Sequence, residues 1–215
     1  MKKSILVLAL GAATVTGTLA PAAVALAAGP AAEQWSIGPV IRGRNHSVGM
    51  PPSLRPGRDG ATFDFPVRGQ GSVHYVSLDT APLQGARRIT LRYRVDAAPG
   101  ARFVAEETGQ QGKLGLAFHR AGDNWTAKGR YEAYRWYSPS IVPLTPGVHT
   151  FSARLDDPRW IGVMRSTGAN NPEAFAAALA DTETVSLTFG AEDGRGHGVY
   201  ATAPARFTIL NFRID

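Results

Sequence analysis

The residues best suited to chemistry lie in one run: Asp123-Asn124-Trp125-Thr126-Ala127-Lys128-Gly129-Arg130-Tyr131-Glu132-Ala133-Tyr134-Arg135-Trp136-Tyr137. It concentrates Trp and Tyr and interleaves them with Arg130, Glu132 and Arg135. Aromatic rings bring a large apolar face and, in Trp and Tyr, a polar handle, at low entropy cost. Sugars present flat C–H faces to such rings, and their hydroxyls need planar charged or amide partners. Trp125, Arg130, Tyr131, Tyr134 and Trp136 are therefore candidate ligand-binding residues, and a glycan is the ligand that this mixture fits. Read as a strand, 131–137 places Tyr131, Ala133, Arg135 and Tyr137 on one face and Glu132, Tyr134 and Trp136 on the other. Neither face is purely apolar, so a surface-accessible strand is expected.

Two further clusters are polar loops. In 43–52, Gly and Pro bracket Arg44, Asn45, His46 and Ser47, a composition that must form a turn or loop. In 190–200, glycines flank His197, which would be accessible between them. That second loop joins two expected strands, so no helix N-terminus awaits a phosphate there. Arg44, His46 and His197 join the candidate binding residues, since loops on a rigid scaffold are where sites sit.

Enzymatic signatures are missing. There is no Gly-x-Ser-x-Gly and no His-Glu-x-x-His, and cysteine is absent. The five histidines are scattered, so no metal cluster and no cofactor is expected. Asp156-Asp157 reads as an acidic turn before it reads as a calcium ligand pair. One catalytic alternative remains. Ser72-Val73-His74-Tyr75 and Gly129-Arg130-Tyr131-Glu132-Ala133-Tyr134 resemble the His strand and Tyr strand of alginate-lyase-like proteins. That resemblance implies proton abstraction from a uronate by a His/Tyr pair, here His74 and Tyr131, while Arg130 neutralises the carboxylate. His74 is a candidate site residue on this ground.

The elements that must hold these residues are strands. In 88–95, Ile89, Leu91, Tyr93 and Val95 alternate with Arg88, Thr90, Arg92 and Arg94, as a strand with one wet face requires. The same logic gives strands at 62–65, 72–78, 113–120, 148–155, 184–189 and 205–215. In the last, parity changes near Ile209 and Leu210, which predicts a bulge. Asn171-Pro172 opens an Ala-rich stretch, 171–180, that reads as one short helix with Phe175 and Leu179 on its docking face. Nine to eleven strands with one small helix near the C-terminus predict an all-β fold: an antiparallel two-sheet β-sandwich of jelly-roll type. The pattern resembles the galactose-binding-like and carbohydrate-binding-module sandwiches, above all in the helix, strand, Gly-rich loop and final strand of 172–214. The resemblance implies the sandwich, and with it carbohydrate binding.

The N-terminus adds a destination. Lys2 and Lys3, an apolar run from Ile5, and Ala25-Leu26-Ala27 read as a signal peptide, 1–27, cut after Ala27. A short flexible leader, 28–34, and one sandwich domain, 35–215, follow. The apolar run is too short and too rich in Gly, Ala and Thr for a membrane anchor, so no membrane insertion of the mature chain is expected. The formal charge is +6, two of it from Lys2 and Lys3. Beyond them the basic residues are arginines except Lys113 and Lys128. Arg suits carboxylates, so an acidic glycan is a conceivable partner. The charge is dispersed and nucleic acid is not expected. Together these readings predict a periplasmic or secreted, non-catalytic, glycan-binding protein, with an envelope scaffold or interaction domain lacking a glycan site, or the polysaccharide lyase, as alternatives.

Overall fold

The computed structural model describes residues 29–215. The expected signal peptide, 1–27, lies outside the described residues. The chain runs through β1 (Trp35–Gly38), β2 (Val40–Ile41), β3 (Arg44–Asn45), β4 (Arg55–Pro56), β5 (Ala61–Asp64), β6 (Tyr75–Asp79), β7 (Arg88–Ala97) and β8 (Phe103–Ala105). It continues through β9 (Lys113–Arg120), β10 (Arg135–Tyr137), β11 (Val142–Pro143), β12 (Gly147–Arg154), β13 (Ile161–Gly162), α1 (Pro172–Ala180), β14 (Thr182–Gly190), β15 (Val199–Ala201) and β16 (Ala205–Ile214).

These strands form two facing antiparallel sheets. The first has the order β1-β6-β14-β9-β10-β13, with β11 also on β9; the second has β12-β7-β16-β5-β4. Two small pairs, β15-β8 and β2-β3, stand beside them. Neighbours within a sheet are rarely neighbours in sequence, because the chain passes from β5 to β6 to β7 to β9 by changing sheets each time. The fold is thus the all-β, two-sheet sandwich of jelly-roll type that the strand pattern predicts.

Periodicity explains which side chains point inward. Ile89, Leu91, Tyr93 and Val95 of β7 are buried, while Arg88 and Arg92 between them are exposed. From the first sheet, Val76, Leu78, Leu114, Leu116, Phe118, Val185, Leu187 and Phe189 face them. Phe189 meets Phe207 of the second sheet edge-on at 5.6 Å, and Phe63 stacks on Phe207 at 5.3 Å. The expected bulge in β16 is present: pairing with β7 slips between Ile209 and Asn211, leaving Leu210 as the extra residue. The expected helix is α1, with Pro172 in its first turn and Phe175 buried against Trp136 and Phe118.

Two local expectations are corrected. Residues 131–137 are not one strand: Gly129–Ala133 is a short 3-10 turn and only Arg135–Tyr137 is strand. The leader is packed where the described residues cover it: Ala32 is buried, and the Gln34 side chain accepts from the Ala31 N–H at 2.7 Å. The 190–198 loop is also more constrained than its composition suggests. A Cβ on Gly190 would lie 1.9 Å from the Arg195 carbonyl oxygen, so only glycine fits where β14 turns back.

Candidate functional site

The outward face of the first sheet carries polar and aromatic residues at the positions that alternate with its core. These are Tyr75 and Ser77 on β6, Ser186 and Thr188 on β14, Ala117 and His119 on β9, and Arg135 and Tyr137 on β10. Sheet order brings them side by side. Ser77 pairs with Ser186, which pairs with Ala117, and Ala117 pairs with Tyr137. Loop residues pack onto this face: Trp125 and Val163 lie against Tyr75, Ala117 and Tyr137, and the Gly194 carbonyl accepts from the Thr188 hydroxyl.

The loop between β9 and β10 presents Trp125. A continuous hydrogen-bonded chain holds it. The Ser77 and Ser186 hydroxyls are 2.8 Å apart, Ser186 Oγ lies 3.0 Å from His119 Nε2, and His119 Nδ1 lies 3.3 Å from Asp123 Oδ2. Asp123 also accepts from Arg135 Nε at 2.7 Å and from the Trp125 backbone N–H at 3.0 Å. The Arg135 guanidinium then lies over the Trp125 ring, 4.1 Å from its centroid. Tyr75 and His119 meet the same ring at 5.0 and 5.1 Å. Trp125 has φ +66° and Ala127 φ +50°, conformations that side chains other than glycine rarely adopt. The buried Asp123 contacts keep the backbone there, so strain is stored where the ring is presented.

Burial sets the charges in this chain. Burial pushes the His119 imidazole below its ordinary value, as does the nearby Arg135 charge, against the pull of Asp123. It is neutral, donating through Nδ1 to Asp123 and accepting from Ser186 through Nε2. Burial alone would raise the Asp123 carboxyl, but hydrogen bonds from His119 and Arg135 hold it well below the carboxylate range. Burial also lifts the Tyr75 phenol well above its ordinary value; its oxygen sits 3.0 Å from that of Tyr137. Ser186, His119 and Asp123 share the connectivity of an acyl-transfer triad. Ser186, however, is wholly buried, its hydroxyl is held on both sides, and Arg135 neutralises the carboxylate. The arrangement positions a loop rather than exposing a nucleophile.

Beside Trp125 opens a polar pocket of about 110 Å³, lined in part by Ser77, Arg120, Glu183 and Thr184. Arg120 links it to a ledge formed by the 3-10 turn. Its guanidinium sits 4.7 Å over Tyr134, Tyr134 meets Tyr131 at 4.9 Å, and Arg130 lies 4.8 Å over Tyr131 while donating to its hydroxyl at 2.7 Å. Arg120, which lines the pocket and lies over Tyr134, is what joins Trp125 to the Arg130, Tyr131 and Tyr134 ledge.

Trp136 does not join them. It is fully buried on the opposite face of β10, packed edge-on to Phe175 at 5.0 Å, with Nε1 donating to the Ala133 carbonyl. Strand alternation alone separates it from its neighbours Arg135 and Tyr137.

His74, His46 and His197 form a separate group at the other end of the sheet. His74 Nε2 lies 3.0 Å from Ser72 Oγ, Ser72 bonds Glu106, and His197 faces Glu107 at 4.0 Å. Burial holds His74 below its ordinary value, the charges of His197 and His46 add to that, and Glu106 opposes it. Arg44 is exposed on β3 nearby in sequence. The register measures the gap to the tyrosine ledge. Tyr75, next to His74, pairs with Thr188, whereas Arg120, bonded to the Tyr134 carbonyl, pairs with Thr182. That spacing along β14 is about 17–20 Å. The lyase reading needs His74 and Tyr131 around one sugar, and this separation removes it.

Among the described residues, no group of three or more His, Asp or Glu is placed to hold a metal ion, and no helix is long and apolar enough to cross a membrane. Asp156 and Asp157 are turn carboxylates paired with Arg154 and Arg159. Ser77, Arg120, Glu183 and Thr184 are pocket residues that the sequence reading passed over. For Ser77 and Thr184 the signal was the polar half of the strand alternation, which marks an outer face without saying that it is covered.

No family model matches the chain, and no curated protein matches it. Among solved structures it is similar to CBM28, a carbohydrate-binding module specific for non-crystalline cellulose. The TM-score is 0.45 at 10% identity, over 85% of this chain and 87% of that one. It is also similar to part of a mutant xylanase 10C from Cellvibrio japonicus in complex with xylopentaose, with TM-score 0.35 and 15% identity. That match covers 84% of this chain, which spans only 28% of the xylanase. Both are matches at low identity.

Proposed function

We propose that the chain is an exported, non-catalytic glycan-binding sandwich whose site is the Trp125 pocket with the Tyr131–Tyr134 ledge. One observation carries this reading. Trp125 is held half-buried, in a strained backbone conformation, against walls that offer hydroxyl, guanidinium and carboxylate groups. A ring for a sugar face, next to donors and acceptors for its hydroxyls, is what a glycan site requires. Export rests on the N-terminal pattern of Lys2, Lys3 and Ala25-Leu26-Ala27.

Affinity electrophoresis of the mature chain through gels holding cell-wall, capsular or plant polysaccharides tests the reading. At least one glycan should retard it, and Trp125→Ala should weaken that retardation about tenfold or more, as loss of a central aromatic anchor does. Unchanged retardation in Trp125→Ala would place any glycan elsewhere. Indifference to every glycan would favour the scaffold reading, which the burial of Trp35, Trp136 and Trp160 supports.

A further inference from the structure

The second sheet turns a different surface to solvent. Along β7 the outward positions are Arg88, Thr90, Arg92, Arg94 and Asp96. On β12, Arg154 stands directly opposite Arg88 and Ser152 opposite Thr90. On β16, Arg213 stands opposite Thr90 from the other side. Like charges facing each other across a sheet destabilise it, and here Arg88 and Arg154 do so on an exposed face.

The two ends of this face differ in charge. At one end the arginines are balanced: Arg94 bridges Asp59 and Asp96, and Arg55 and Arg206 share Asp64. At the other end, Arg154 pairs with Asp156, and Arg213 reaches Asp215 only at 3.6 Å. Among the described residues, the Arg88 and Arg92 guanidinium groups form no ion pair, while the Arg88 backbone N–H donates to Asp215 O at 3.0 Å. Arg88 and Arg92 are two residues either side of Thr90, hence roughly 7 Å from it along the strand, and Arg213 is one strand across. Three arginine positions thus surround a hydroxyl-bearing one, with Ser152 beside it.

We infer that this end of the second sheet is a docking surface for an acidic, carboxylate-bearing polysaccharide, a site distinct from the Trp125 pocket and independent of it. Guanidinium groups take carboxylates in a planar two-bonded geometry, and Thr90 and Ser152 offer partners to the hydroxyls between them. A flat strand face suits an extended polymer rather than a small molecule. The same positions carry no aromatic ring on which unpaired bases could stack, and no helix or ribbon that could enter a groove, so an acidic glycan fits better than nucleic acid.

The test uses the full mature chain with polygalacturonate in native gels. Mobility should be retarded at about 20 mM salt and much less at about 200 mM, because exposed charge pairs are screened. A neutral glucan should not reproduce this salt-sensitive retardation. Arg92→Gln should weaken the interaction about two- to fivefold and the triple variant Arg88→Gln/Arg92→Gln/Arg213→Gln tenfold or more. Arg55→Gln, at the balanced end, should leave it unchanged. All these side chains are exposed, so thermal melting should match the parent and confirm that each variant is folded. Equal retardation of the triple variant and the parent would overturn the proposal. So would complete displacement by DNA at the same charge concentration, which would mark a general polyanion face.

Discussion

Trp136→Ala should destabilise the fold by about 3–5 kcal/mol, although Trp136 lies one residue from the outer-face network. Its ring is wholly buried beneath α1, edge-on to Phe175, and its Nε1 hydrogen bond to Ala133 anchors the end of the 3-10 turn. Truncation removes a large apolar side chain, opens a cavity that Phe175 and Phe118 cannot fill without moving the helix, and frees the Ala133 carbonyl. A domain of this size holds a total of about 5–15 kcal/mol. Denaturant unfolding should show the midpoint collapsing, and thermal melting a drop of about 6–20 °C. Trp125→Ala, by contrast, removes a half-buried ring stacked on Arg135 and should cost far less stability while removing glycan retardation. If the two variants lose stability equally, Trp125 is as much a core residue as Trp136, and the pocket beside it is incidental.

That contrast also marks what the sequence can reveal. The strands were legible because their periods were clean. Ile89, Leu91, Tyr93 and Val95 announce a half-buried strand, and the parity change at Ile209 and Leu210 announces a bulge. The run of rings around 131–137 was ambiguous because two periods compete there. Tyr131, Ala133, Arg135 and Tyr137 suit a strand, but Tyr131 and Tyr134 also suit a 3-10 turn, in which residues three apart eclipse. The turn wins upstream, where Gly129 has a positive φ, and the strand wins from Arg135, where β9 supplies a partner. The pocket was hidden for another reason. Ser77, His119 and Ser186 meet only because β14 inserts between β6 and β9, and that strand order depends on distant pairings. Asp123 sits in the run of rings, yet nothing local indicates that His119 and Arg135 converge on it. Burying three ionisable groups together is a tertiary fact.

Asp123→Asn should be the most damaging conservative change on the outer face, at about 3–5 kcal/mol. The Asp123, His119 and Arg135 side chains are 5%, 6% and 7% exposed, so the loss of one charge leaves Arg135 buried without a partner. The same network predicts how stability depends on pH. The folded state holds the Asp123 carboxyl below its unfolded value, so its contribution is complete above about pH 4 and fades as pH falls further. Burial likewise keeps His119 neutral below its unfolded value. The unfolded chain therefore takes up that proton first, and stability declines as pH drops through about 6.5. Urea unfolding of the parent at about pH 7.5, 5 and 3.5 should thus give midpoints that fall in two stages. Asp123→Asn should begin lower and show a smaller second stage, because its side chain no longer titrates while Asp64 and the surface carboxylates held low by arginine and lysine still do. It should also loosen Trp125, whose N–H it helps to hold, and this would appear as red-shifted tryptophan emission in the folded state. A parent whose midpoint stays level from pH 7.5 to 3.5 would mean that the buried chain from Ser77 to Arg135 is not what holds the Trp125 loop in place.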